Sequence, residues 1–340
     1  MSTFTVTESA IDALAKVAKE DDDALEPFQR RRRSDRRFLA RFVRTAKGDV
    51  DRALTRLRSF EKLERDHISD RLPFLSVLQV RRALAEGVGT MVGVTPDGTL
   101  GPILSRNGAA TLFCAFSSID YEVVPPHEMI TTFYYLFERL MRTDGAQVGL
   151  CFLAEADGVG WKQFNLEVER IFIQFLSNTM PIRLESMVLV NEPFLIKAMV
   201  AMVRPFMSQK VRDRMVFVGS QLDLLLEHFD EKNLLERYGG SLRLATGPET
   251  SWYLLQQEME RVKVKVSAEA AGATFARDPT LNNALVCTTP GGPFLLDDVV
   301  LAVNGKPVTA DTTLELPGKA SKVTVGRVNV DVLGRKRGEV

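Results

Sequence analysis

The sequence predicts an α/β protein in three parts. These are a helical N-terminal domain over residues 1–85, a mixed, mostly parallel sheet with its helices over 86–246, and a small β domain over 260–333. Three observations carry this reading. Residues 28–65 are highly charged and repeat their apolar positions at helical spacing. From about residue 86, short apolar runs alternate with longer amphipathic segments. After residue 260, β-rich runs are separated by Gly, Pro, Asn and Asp. Strands that alternate with helices need crossovers, and crossovers produce parallel, buried sheets.

Each element follows from its residues. Residues 8–26 hold seven Asp/Glu against two Lys, and residues 28–65 invert this to fourteen Lys/Arg against five Asp/Glu. In the basic stretch Phe38, Leu39, Phe42 and Val43 share one helical face. After Gly48, Asp49 is placed to cap a second helix with Val50, Ala53, Leu54, Leu57 and Phe60 on one side. The Arg30–Arg33 run has no interleaved aromatics and is expected to be a solvated helix face. Strands are expected at Thr90–Val94, Thr111–Phe116, Val148–Leu153, Met187–Val190 and Met215–Val218. Helices are expected at Pro126–Met141, Trp161–Asn178, Pro193–Arg204 and Leu222–Phe229. Gly239-Gly240 and Gly247-Pro248 close this region. Beyond it, Val262–Val266, Ala284–Cys287, Val299–Val303 and Val323–Val330 read as strands, with Asn304-Gly305 as a tight turn.

Composition excludes several functions. Across 340 residues, Lys+Arg and Asp+Glu are 44 each, so no overall field favours nucleic acid, and none is expected as a partner. Cys114, Cys151 and Cys287 are far apart, which fits neither a disulfide framework nor a zinc ribbon. His67, His127 and His228 stand alone, against a two-histidine metal site. Gly87-Val88-Gly89-Thr90-Met91-Val92-Gly93 approximates a phosphate loop, but its third glycine is one position late and a strand follows where a helix should. No catalytic residue, metal or cofactor is therefore expected. The N-terminus is polar and then acidic, unlike a signal peptide, and no apolar run is long enough to span a bilayer. The expected location is cytoplasmic, with peripheral membrane association.

One helix is unusually apolar. From Pro193 to Arg204 the only charge before the end is Lys197, and Pro205 stops the helix. Such a helix is either sandwiched in a core or faces something apolar. Met199 and Met202, with Met180, Met187 and Met207 nearby, would make an adaptable apolar surface.

Residues 180–245 resemble the C-terminal half of the CRAL-TRIO lipid-binding domain family, on the branch of its tocopherol- and retinaldehyde-binding members. The likeness is carried by Leu189-Val190-Asn191-Glu192-Pro193, Arg204-Pro205-Phe206-Met207, Lys210-Val211-Arg212-Asp213-Arg214 and Leu235-Glu236-Arg237-Tyr238-Gly239-Gly240. Phe42-Val43-Arg44 and Asp49–Leu54 resemble the helical domain that precedes it in this family. Val148–Gly158, with Glu155, resembles its central strand and turn, so the likeness runs over roughly residues 36–246.

The resemblance implies a sheet floor and a helical lid around one hydrophobic small molecule or phospholipid, with Pro193–Arg204 as the moving gate. The expected wall positions are Met129, Thr132, Leu136, Leu150, Phe152, Phe175, Leu176, Met180, Met187, Phe194, Met199 and Val203. It also implies headgroup binding at a peripheral anionic membrane by Arg183, Arg204, Lys210, Arg212 and Arg214. Glu185 replaces a basic residue of that branch, and Ile182 stands where the phosphatidylinositol-transfer branch carries an acid. Leu295–Val308 resembles a PDZ strand-turn core, with Ala271–Phe275 as its carboxylate loop and a helix expected near Asp311–Leu316. A β-sandwich is the other reading of this module. The module could hold a protein partner through residues 260–333, which makes a membrane-docking adaptor the alternative to lipid exchange.

Overall fold

The computed structural model describes residues 5–19, 25, 27–68, 75–266, 273–290, 297–309 and 321–328. Its first helices are Glu8–Ala18, Pro27–Arg33, Arg36–Thr45 and Val50–His67. Asp49 caps the last of these as expected, accepting the Arg52 N–H at 3.0 Å. Phe38, Phe42 and Phe60 lie between the helices, with Phe42 edge-on to each of the other two at 5.1 and 5.7 Å. The arginine run departs from its expectation. Arg30 and Arg31 are exposed, but Arg32 and Arg33 are only 5% and 2% exposed. Glu61 and Glu64, three apart on Val50–His67, each take one of the buried guanidinium groups. Arg33 reaches the two Glu61 oxygens at 2.8 and 2.6 Å, and Arg32 reaches both oxygens of Glu64, one of them at 2.7 Å. The Tyr134 hydroxyl also donates to Glu64. A buried charge needs this degree of pairing, and the sequence run alone does not reveal which arginines find it.

The central sheet is parallel throughout, as its alternating pattern predicts. Its order is Ala110–Ala115, Leu150–Glu155, Leu184–Val190 and Met215–Gly219. Helices Pro126–Leu140, Leu166–Gln174 and Phe194–Val203 lie in the three crossovers. Side chains alternate across the sheet. Phe113, Cys151, Leu153, Val188 and Val190 face Leu225, Phe229, Leu234 and Leu235, whereas Met187 and Leu189 point to the opposite face. The helix expected over Trp161–Asn178 is three pieces: a 3-10 turn at Trp161–Gln163, the α-helix Leu166–Gln174 capped by Asn165, and a π turn at Phe175–Thr179. Leu222–Glu227 is likewise 3-10 rather than α. Strand ends are tied by polar clamps: Glu155 accepts from Asn191 at 2.9 Å and from the Tyr238 hydroxyl, and Glu192 accepts the Gly219 N–H at 2.9 Å.

Val92–Val94 belongs to a second sheet, antiparallel to Leu100–Pro102 and Arg243–Leu244. Gly93 is needed there for packing, because a Cβ would lie 2.5 Å from the Leu242 side chain.

The chain divides into two compact units, Met1–Leu72 with Glu86–Ala245, and Pro73–Ala85 with Thr246–Val340. Helix Val77–Ala85 is built into the second unit. It packs on helix Gly247–Glu258, which stands where Gly247-Pro248 was expected only to break the chain. Thr246 and Glu249 form a capping box that starts this helix, with Pro248 in its first turn. A Cβ at residue 247 would lie 2.0 Å from the Leu84 carbonyl, so the glycine permits the close approach. Glu258 accepts the Val77 N–H at 3.0 Å, and Arg81 pairs with Asp278 at 3.0 Å.

The sheet of this unit is antiparallel, in the order Met259–Val266, Ser321–Val328, Val299–Val303, Ala284–Thr289 and Thr274–Asp278. Asn304 and Gly305 both have positive φ and make the expected tight turn, with Val303 opposite Lys306. Leu295, Leu296, Ala271, Gly272 and the stretch Asp311–Leu316 lie outside the described residues.

Candidate functional site

In the first unit a cavity lies between the free face of the parallel sheet and helix Phe194–Val203. About 550 Å³ of space there is unfilled by protein atoms, part of it open to solvent. Met187, Leu189 and Met215 form its floor. Ile196, Met199, Val200 and Val203 roof it from one face of the helix, with Met207 following. Phe116, Ile119, Val159, Gln163, Phe164, Glu169 and Ile173 complete the wall. Four methionines in this lining can repack around an irregular apolar occupant.

The roof helix is two-sided. Its inner residues Ile196, Met199 and Val203 are buried, but Phe194 is 83% exposed and Met202 and Phe206 are 40% and 42% exposed. Trp161 and Leu166, beside the wall, are 57% and 46% exposed. An apolar helix thus places one face on the cavity and offers the other to the surroundings. Burial on one side only is what the sequence pattern left undecided.

Of the twelve expected wall positions, Met187, Met199 and Val203 line the cavity. Met129, Thr132, Leu136, Leu150, Phe152, Phe175, Leu176 and Met180 are buried and are not among the residues that line it. Phe152, for example, lies tilted against Phe116 and Phe172, and Phe175 meets Tyr134 and Phe137 edge-on. Phe194, expected on the wall, faces outward because Ile196, Met199 and Val203 occupy the inner face of that helix. Periodicity marks a position as apolar and buried; it does not say whether the neighbour is a side chain or a space.

Sequence reasoning missed the polar part of the wall. Glu169, one turn before Ile173, lines the cavity; its backbone N–H donates to the Asn165 carbonyl at 3.0 Å, and its carboxyl makes no hydrogen bond among the described residues. Burial pushes its carboxyl up from 4.5 to about 7. The folded state therefore holds a proton between those values that the unfolded chain has released. Stability is expected to fall as pH rises from about 4.5 to 7, by roughly 3 kcal/mol from this group, and to flatten above. Urea titrations at pH 5 and pH 8 should show Glu169→Gln stabilising the protein at pH 8 and leaving it nearly unchanged at pH 5. An equal effect at both would contradict the assignment.

A basic cluster lies outside the cavity. Lys210 is pulled down to about 8 by burial and by the charges of Arg214, Arg56, Arg183 and Arg52. Arg183 and Arg214 are thus near Lys210, and Val50–His67 contributes Arg52 and Arg56, which the sequence did not single out. Arg212 is turned to its own loop, donating to the Met207 carbonyl at 2.7 Å and to Gln209 at 2.6 Å. Arg204 is exposed at the end of the roof helix. Glu185 accepts from Ser105 at 2.7 Å and Asn107 at 2.6 Å, and its charge also acts on Arg214. Lys210 thus lies within electrostatic reach of four arginines, Arg52, Arg56, Arg183 and Arg214.

Residues 105–240 match the family model described as the CRAL/TRIO domain. Proteins named alpha-tocopherol transfer protein-like from Homo sapiens and Pongo abelii are each 28% identical over 211 residues, covering 61% of this chain and 59% of theirs. The chain thus matches less than two thirds of the length of these relatives. The Mus musculus protein of the same name is 26% identical over 256 residues, 74% of this chain and 72% of its own. The crystal structure of Sfh5 aligns over 74% of this chain and 96% of that one, with 13% identity and a TM-score of 0.47. The match to the CRAL/TRIO model ends at residue 240, so the PDZ-like reading of the second unit rests on sequence pattern alone.

Proposed function

The chain carries a CRAL-TRIO domain, and from that premise we propose that it binds one hydrophobic lipid in the cavity and exchanges it at membranes. The observation that carries this reading is the two-sided helix Phe194–Val203, with Met199 and Val203 on the cavity and Phe194 and Met202 outside, extended by Phe206 in the following 3-10 turn. Swinging one such helix would open the cavity and lay an apolar face on a bilayer at the same time. Each CH₂ taken into the cavity is favoured by about 0.8 kcal/mol, so binding needs no covalent step. The relatives' printed name, which includes tocopherol transfer, favours an apolar ligand of this kind. Among the described residues no helix is long and apolar enough to cross a membrane, so contact would be peripheral. Native mass spectrometry of purified full-length protein, followed by lipid extraction, tests the reading. One co-purifying or reloadable lipid per chain is expected; a chain that never takes up lipid from vesicles would overturn it.

The basic cluster would hold the protein at anionic headgroups, phosphoinositides among them, during exchange. Each cation near such a surface is worth about 1 kcal/mol, screened by salt. Lys210→Ala with Arg214→Ala is expected to weaken binding to anionic vesicles at low salt while preloaded lipid stays in place. Unchanged vesicle affinity would remove the cluster from the mechanism.

A further inference from the structure

In the second unit, Met259–Val266 is an edge strand that pairs along its whole length with Ser321–Val328. One face of this pair is core, where Val264, Val323 and Val325 pack with Leu285, Cys287 and Val300. The pleat sends alternate residues to the other face. On that face Arg261, Lys263 and Lys265 follow one another along the edge strand, with Gly326, Thr324 and Lys322 opposite them. Arg261, Lys263 and Lys322 are exposed. Among the described residues these three make no ion pair, whereas Arg81 and Arg327 of the same unit are matched by Asp278 and Asp298. Lysines on an edge strand are an ordinary guard against pairing with another chain. That role does not account for Lys322, which stands on an inner strand in register with Lys265. Like charges at directly opposite positions weaken an antiparallel pair, so the repeated charge is a cost to the fold.

We propose that this basic sheet face of the second unit is a membrane contact in its own right, docking on anionic lipid headgroups. The partner follows from the chemistry of the face. Of the six positions from Arg261 to Lys265 and from Lys322 to Gly326, four are cations and none is an acid. No aromatic or large apolar side chain stands among them. A protein partner is held chiefly by aromatic and aliphatic anchors in pockets, and single-stranded nucleic acid by stacking on aromatic rings. This face offers neither. Its cations are fixed about 7 Å apart along a strand and about 5 Å apart across the pair. Headgroups that move freely in the plane of a bilayer can gather over such an array. Lysine suits the contact, because its ammonium is a point charge on a flexible stem and not a fork shaped for one ligand. The face lies beyond residue 240, where the match to the CRAL/TRIO model ends, and shares no residue with the cluster around Lys210. The contact is independent of the lipid-binding reading.

The full-length chain carrying Lys263→Gln, Lys265→Gln and Lys322→Gln together tests this by sedimentation with vesicles of phosphatidylcholine, with and without phosphatidylserine. Affinity for the serine-containing vesicles is expected to fall at least about tenfold at low salt, and by less at high salt. Binding to phosphatidylcholine alone should not change. Thermal unfolding should be unchanged or slightly improved, since the opposition of Lys265 and Lys322 is gone. Arg261→Gln with Lys263→Gln, confined to the edge strand, should show a smaller loss of the same sign and covers the case in which the triple variant does not fold. Adding Lys210→Ala and Arg214→Ala to the triple variant should lower the affinity further than either set alone. Unchanged affinity for the serine-containing vesicles, or an equal fall on neutral ones, overturns the proposal. So does a loss seen only in binding of a single-stranded RNA oligonucleotide, which would give the face to nucleic acid. Lipid loading is measured on the same samples, so the contact can fail while the lipid-binding reading stands.

Discussion

Replacing Glu64 by alanine is expected to destabilise the protein by about 3–5 kcal/mol, the range for removing one partner of a buried ion pair. Arg32 would be left 5% exposed with its carboxylate gone, and the Tyr134 hydroxyl would lose its acceptor. Neither group can reach water without opening the contact between Pro27–Arg33 and Val50–His67. Denaturant unfolding of the full chain reads the effect. The double variant Arg32→Met with Glu64→Leu should recover most of the loss, because replacing both charges removes the desolvation problem. Glu8→Ala is the contrast. Its partner Arg36 is exposed, and no measurable change is expected. A loss with Glu8→Ala as large as that with Glu64→Ala would mean that burial is not what gives the Arg32 pair its weight.

Met199→Trp is expected to leave the delipidated protein close to wild-type stability and to reduce lipid loading severely. Met199 is buried on the inner face of the roof helix, yet it borders unfilled space. In a filled core the same enlargement costs about 1–3 kcal/mol through overpacking. Thermal unfolding without lipid and the lipid retained on purification separate the two cases. Lost stability with normal loading in the folded fraction would make Met199 an ordinary core residue and would remove the local basis of the binding reading. Phe194→Asp on the outer face provides the complement: loading from free lipid should persist while transfer to vesicles slows.

The sequence by itself determined the kinds of element and their order. The parallel sheet followed from apolar runs too short for helices, spaced by segments long enough to cross over. The Asp49 cap and the Asn304-Gly305 turn followed from residues whose backbone preferences are local. The apolar helix Pro193–Arg204 was legible for the same reason, since its composition requires an apolar neighbour on any fold. Its Asn-Glu-Pro entry is now seen as a clamp, with Asn191 on Glu155 and Glu192 on Gly219.

What only the tertiary structure decided is which side chains meet. Arg32 and Arg33 look like solvated charges until Glu61 and Glu64, some thirty residues later, are folded against them. Gly247-Pro248 reads as a break until the Leu84 carbonyl comes close enough to need the glycine and Thr246 caps a helix. Leu136 and Met187 have the same apolar signature, yet one fills a core and the other borders a cavity. Glu169 stands one turn before Ile173, and only the fold sets both on the cavity wall. Pattern reports the demand of a residue for an apolar or polar neighbour, a property of that residue alone. Whether protein, water or a ligand meets the demand depends on atoms distant in sequence, and only the packed chain specifies those.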